Sequence, residues 1–161
     1  MRYVAPPGME LEARDDVKTI GRYEILETLG KGAMGIVYEA VHRSLGRKVA
    51  LKLMRTGLDT EPEALERFRR EAQAAGVLQH PGIVTVYDAG DDKGVPFIAM
   101  EFVDGQSLRD ELNKIGHYNE VETLILAGQA CRALAVAHAE GIVHRDVKPD
   151  NMMLNCKGDF K

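Results

Sequence analysis

Between Arg22 and Met54 the chain reads as short apolar or β-branched stretches broken by glycines, at 23–29, 36–42 and 48–54. Runs of this length bounded by turn formers predict three consecutive antiparallel strands. The texture then changes. Leu65, Phe68, Ala72 and Ala75 recur at helical spacing while Glu66, Arg67, Arg69 and Arg70 take other faces, which predicts an amphipathic helix over 61–76. Thr60 with Glu63 fits a capping box at its start, and Pro62 falls in the first turn, where a missing N–H does no harm. Two more strand-like runs, 83–87 and 95–102, flank Gly90, Asp91, Asp92, Lys93 and Gly94 and predict a hairpin with a wide loop.

Past Asp104 and Gly105 the pattern turns helical. Ser107 and Asp110 open a short helix carrying Leu108, Leu112 and Ile115. A longer helix over 120–140 is capped by Asn119 with Glu122, ended by Gly141, and apolar along Val121, Leu124, Ile125, Cys131 and Leu134. Strands with one helix, then helices, predict an α+β architecture whose two subdomains meet near residue 104. Residues 1–20, with Pro6, Pro7, Gly8 and no sustained period, read as a flexible leader.

Composition narrows the function classes. Lys and Arg number 21 against 25 Asp and Glu, a net charge of −4, so a polyanion-binding surface is not the default. Hydrophobic residues at 45% and charged residues at 29% are ordinary globular usage and argue against disorder. Cys131 and Cys156 have neither CxxC spacing nor a nearby His, so they read as reduced thiols of a cytoplasmic protein. No apolar run approaches the roughly 18 residues of a spanning helix, so no membrane segment is expected within the chain.

Three motifs carry chemistry. Gly30, Gly32 and Gly35 form GxGxxG around Lys31, with Val37 following, and glycines there let backbone N–H groups approach phosphate oxygens. A dinucleotide-binding fold needs a helix next, whereas residues 36–41 continue as a strand; a tight glycine hairpin without ligand is the bland alternative. Val49-Ala50-Leu51-Lys52 sets a lysine on the third strand, and Glu71 lies mid-helix where it could approach that strand. A carboxylate would keep the ammonium charged and aimed at phosphate, although a solvated Lys52 and an intrahelical Glu71–Arg67 pair are the plainer readings. The most specific run is His144-Arg145-Asp146-Val147-Lys148-Pro149-Asp150-Asn151.

With these residues in view, the chain resembles the first part of a protein kinase catalytic domain, of the serine/threonine class and of bacterial type. The resemblance implies a two-lobe fold: a complete N-lobe and hinge over 21–104, with a five-stranded antiparallel sheet and one helix, then an incomplete C-lobe over 105–161 with the catalytic loop. It implies ATP and Mg²⁺ as cofactors and protein Ser/Thr hydroxyls as acceptors. Asp146 would accept or orient the substrate hydroxyl proton, Lys148 would stabilise γ-phosphoryl charge, and Asn151 would hold one Mg²⁺. Lys52, held by the Glu71 carboxylate, would pair with the α- and β-phosphates under the lid of Gly30, Lys31, Gly32 and Gly35. Met100 would be the gatekeeper, the backbone of Glu101 and Val103 would meet adenine, and Val37, Ala50 and Met153 would sandwich the ring. Core packing is the ordinary alternative for those three, and helix capping is the preferred role for Ser107.

Asp159-Phe160 is followed by Lys161 rather than Gly, and its spacing from Asn151 is too short for the family's metal-binding DFG; it resembles the strand before that motif. The expectation is a kinase truncated before DFG, with an exposed apolar patch on the long helix. A catalytically silent nucleotide-binding fragment is the rival, and a small-molecule phosphotransferase a third reading.

Overall fold

The computed structural model describes residues 19–32, 35–54 and 62–161. One compact unit holds the described residues up to Gln73 with Val86–Phe102, and a second holds Ala74–Thr85 with Val103–Lys161. The first is built on an antiparallel sheet of β1 (Thr19–Ile20), β2 (Tyr23–Gly32), β3 (Gly35–His42), β4 (Arg47–Met54), β5 (Val86–Asp92) and β6 (Val95–Glu101), in the order β1-β2-β3-β4-β6-β5.

Strand alternation divides its side chains. Ile36, Tyr38 and Ala40 of β3, Val49, Leu51 and Leu53 of β4, and Phe97 and Ala99 of β6 gather with Tyr23 into one core. On the opposite face α1 (Pro62–Gly76) buries Phe68 and Ala72 against Met54 and Ile98. Burying a side chain the size of Phe68 contributes about 1.5–3 kcal/mol, which anchors the helix to the sheet.

The sheet curls until its ends are tied together. Gly21 N donates to Asp92 Oδ2 at 3.0 Å, and the Tyr23 hydroxyl donates to Asp88 Oδ2 at 3.0 Å, joining the β1–β2 end to β5 at the other edge. The Tyr23 and Phe97 rings meet edge-on, 5.7 Å apart, inside the curl.

The α+β fold class matches the sequence reading, with six strands where five were expected. Thr19 and Ile20 are not leader but strand, paired with Glu24 and Tyr23. The remainder of the proposed leader and Thr60 of the proposed capping box lie outside the described residues. The strand expected at 83–87 begins only at Val86 and runs on to Asp92, and the wide loop shrinks to the two-residue turn Lys93-Gly94. Both turn residues have left-handed backbone, φ 53° and 82°, which matches the twist of a two-residue hairpin. Gly94 N donates to Asp91 Oδ1 at 2.8 Å and fixes that turn.

The second unit contains a two-stranded sheet of β7 (Gly105–Ser107) and β8 (Met153–Asn155), with α2 (Leu108–Ile115), α3 (Glu120–Ala139) and a 3-10 turn at Pro149–Asn151. Ser107 Oγ accepts from Asp110 N at 3.0 Å, so the capping role holds. Asn119 and Glu122 form a reciprocal box: Glu122 N donates to Asn119 Oδ1 at 2.9 Å and Asn119 N to Glu122 Oε2 at 3.0 Å. Val121, Leu124 and Ile125 of α3 are all more than half exposed. Gly105 cannot be replaced freely, because a Cβ there would stand 1.9 Å from Leu154 O.

Candidate active site

The strand register gathers most of the sheet-borne candidates onto one face. Gly30 opposes Val37, Val37 opposes Lys52 and Lys52 opposes Ile98; one step along, Ala50 opposes Met100. Directly opposed residues of an antiparallel ladder share a face. Ile98 and Met100 pack toward α1, so Val37, Ala50, Lys52 and Met100 all lie on the α1 side. Gly32 opposes Gly35 and Gly35 opposes Met54, which puts all three glycines on that side as well. Lys31 opposes Ile36 and takes the other face.

The glycines differ in what they leave open. Among the described residues a Cβ at Gly30 would meet nothing within 4 Å, and one at Gly32 only Gly35 O at 3.9 Å, whereas at Gly35 it would stand 2.0 Å from Leu53 O. Gly35 is therefore required by the approach of β4. Packing against the described residues does not require Gly30 or Gly32, and their bare backbone suits the approach of an anionic ligand.

The Lys52 ammonium lies 5.9 Å from the Phe68 ring centroid, against α1. Glu71 follows Phe68 by three residues, an adjoining position on the same helix; its side chain is outside the described set, as are Ala33 and Met34 of the glycine loop. Arg67, the alternative partner of Glu71, directs its Nε to Glu63 O at 3.3 Å. Glu101 closes β6 opposite Val49, and Val103 opens the next stretch of the second unit.

In the second unit the run 142–151 folds into a tight, exposed loop. Arg145 adopts φ 64°, a left-handed conformation uncommon for a non-glycine residue, and Asp146 N donates to His144 Nδ1 at 3.3 Å. Lys148 Nζ lies 2.9 Å from Asp146 Oδ2. Asn151 Nδ2 donates to the main-chain O of Asp146 at 2.8 Å and to its Oδ2 at 3.0 Å. Hydrogen bonds from Lys148 and Asn151 hold the Asp146 carboxyl below its ordinary value, and Asp146 in turn raises Lys148. Asp146 is thus an ionised, exposed acceptor at neutral pH, a better orienter of a hydroxyl than a base. Spending its amide nitrogen on Asp146 leaves the Asn151 carbonyl oxygen as the group suited to a hard cation.

Leu108 N donates to Met152 O at 2.8 Å and Ser107 pairs with Met153, so the start of α2 and β7 back this loop. An ion pair between Arg109 Nε and Asp150 Oδ2 at 3.4 Å adds to that support; residues so distant in sequence gave no signal of it. Another pair missed in the sequence joins Glu39 to Lys48 across the β3–β4 hairpin, where the register alone would have suggested it. Asp159 does not stand as a free ligand. Its Oδ2 accepts from Asn155 Nδ2 at 2.9 Å, and Phe160 forms an isolated antiparallel bridge to Leu154 of β8, with Met153 and Lys161 exchanging two 2.8 Å bonds.

A curled antiparallel sheet with one helix, followed by a helical part bearing an Asp-Lys-Asn loop, is the arrangement of a protein kinase catalytic domain. The chain belongs to this family: the protein kinase domain matches residues 23–161. A probable serine/threonine-protein kinase, pknA2 of Bifidobacterium longum, is 45% identical over 141 residues, covering 86% of this chain and 19% of the relative. The serine/threonine-protein kinase PknA of Mycobacterium tuberculosis is 38% identical over 156 residues, covering 94% of this chain and 36% of its own. The crystal structure of the Mycobacterium tuberculosis PknI kinase domain superposes with a TM-score of 0.73 at 34% identity, over 88% of this chain and 58% of that one. The chain thus spans well under half the length of these curated relatives. Among the described residues no helix is long and apolar enough to cross a membrane.

Proposed function

We propose that the chain carries the nucleotide-binding and catalytic-loop parts of an ATP-dependent serine/threonine protein kinase. The observation that carries this reading is the register that sets Gly30, Gly32, Gly35, Val37, Ala50 and Lys52 on one sheet face. On it, the backbone at Gly30, Lys31, Gly32 and Gly35 covers the phosphates, and Lys52, for which Glu71 is the proposed carboxylate partner, pairs with α- and β-phosphate oxygens. Val37, Ala50 and Met153 are the apolar residues proposed for the adenine ring, with Met100 as gatekeeper and the backbone of Glu101 and Val103 for its edge. Residues 21–104 act as the nucleotide lobe and hinge, and 105–161 supply the catalytic loop.

In that loop Asp146 accepts or orients the hydroxyl proton of a protein Ser or Thr, and Lys148 lies alongside to offset charge on the transferring phosphoryl group. The Asn151 carboxamide oxygen would hold Mg²⁺; bound there, the ion neutralises charge on the phosphates. A kinase assay with ATP, Mg²⁺ and a generic protein acceptor tests the reading: phosphate incorporation that disappears in Asp146→Asn and Lys52→Met is expected, and incorporation unchanged by both would overturn it.

A second reading, nucleotide binding without transfer, draws on the donor set. Among the described residues no group of three or more His, Cys, Asp or Glu side chains stands together for a metal, and Asn151 offers one neutral oxygen. Calorimetric binding of ATP by a chain that incorporates no phosphate would favour it.

A further inference from the structure

Among the described residues Glu39 is the charged side chain that is buried, 8% exposed, and neither the sheet core nor the phosphotransfer roles account for it. Its Oε1 lies 2.8 Å from Lys48 Nζ, and the same ammonium stands 4.9 Å from the centroid of the Phe102 ring. Glu39 opposes Ala50, and Lys48 is two residues before Ala50 on β4, so the pair shares the face of Ala50 and Lys52. An ion pair with a half-exposed ammonium contributes little to stability alone, because solvent screens its attraction while the carboxylate is desolvated. What the pair adds is a directed cation. The ladder of β6 ends where Glu101 meets Val49, so Phe102 is the first residue past the sheet without a register partner. An ammonium fixed by a desolvated carboxylate and set over an aromatic face holds that ring in place.

We propose that Glu39, Lys48 and Phe102 form a bracket of positioning residues that fixes the end of β6 for recognition of an adenine ring. The inference rests on the nucleotide reading above and deepens it, assigning adenine affinity, as distinct from phosphate affinity, to an ion pair on the sheet. Lys48 is half-exposed, so substitution there leaves the core intact.

The test titrates the full chain with adenosine, ADP and inorganic tripolyphosphate by calorimetry, for wild type, Lys48→Met and Lys48→Arg, with melting temperatures alongside. Lys48→Met should weaken adenosine and ADP about tenfold while tripolyphosphate affinity stays unchanged, and Lys48→Arg should restore the adenosine affinity. Wild-type binding with adenosine affinity unmoved in Lys48→Met overturns the bracket alone. Loss of all three ligands together with a fallen melting temperature assigns the pair a merely structural role and also overturns it. A wild-type chain that binds none of the three overturns the nucleotide reading itself, and the bracket with it.

Discussion

Lys148 Nζ and Asp146 Oδ2 stand 2.9 Å apart on an exposed loop, and the same carboxylate oxygen accepts from Asn151 Nδ2 at 3.0 Å. Three residues proposed for separate tasks are thus one hydrogen-bonded unit before any ligand arrives. The Asp146 carboxyl is depressed from 3.8, first by the Lys148 hydrogen bond and then by Asn151. A depressed group contributes above its unfolded value and loses that contribution as pH falls through the lower folded value. Carbon-detected NMR titration of the Asp146 side chain should therefore give a midpoint below 3.8, moving upward in Lys148→Met. A midpoint indifferent to Lys148 would break the unit apart.

Asp146→Asn removes the acceptor for the hydroxyl proton yet keeps a side chain that can hydrogen-bond Asn151. Phosphotransfer should fall about 10²–10⁴-fold with the fold retained, as judged by circular dichroism.

Gly35 and Gly32 separate packing from ligand approach. Gly35→Ala drives a methyl against Leu53 O and should cost ~1–3 kcal/mol in chemical denaturation. Among the described residues Gly32→Ala meets only Gly35 O at 3.9 Å, and it should change stability by less than about 0.5 kcal/mol while weakening nucleotide affinity. Equal stability losses in the two variants would contradict the assignment.

The tie that closes the curled sheet should be visible in alkali. Tyr23 is 2% exposed and its phenol is pushed up to about 12 by burial, then by its hydrogen bond to Asp88. A group raised in the folded state contributes fully below its unfolded value of 10.0 and loses that contribution as pH rises through the folded value. Tyr23→Phe should therefore cost about 1 kcal/mol at neutral pH, and the gap from wild type should close above pH 10. A constant gap across that range would refute the tie.

Much of this was legible in the chain because local chemistry and global fold agree. The 3.6-residue period of Leu65, Phe68 and Ala72 and the Asn119–Glu122 cap each mark an element that exists. The glycine and HRDxKxxN runs point to the family for the same reason, since their spacing encodes the loops. What escaped the sequence has no local period. β5 reads Val-Tyr-Asp-Ala-Gly-Asp-Asp, a polar edge strand made by pairing with β6, and β7 is three residues held by a distant partner. Asp88, Arg109 and Glu39 are ordinary acids and bases until the fold brings Tyr23, Asp150 and Lys48 to them.

The open strip at Gly30 and Gly32 inverts the usual logic of mutational scanning. Elsewhere alanine is a deletion and reports what a side chain supplied; along this strip it is an insertion and reports the clearance a visitor needs. A graded series from Ala through Ser to Val at those two positions would work as a feeler gauge, measuring the thickness of that gap from the affinity it removes.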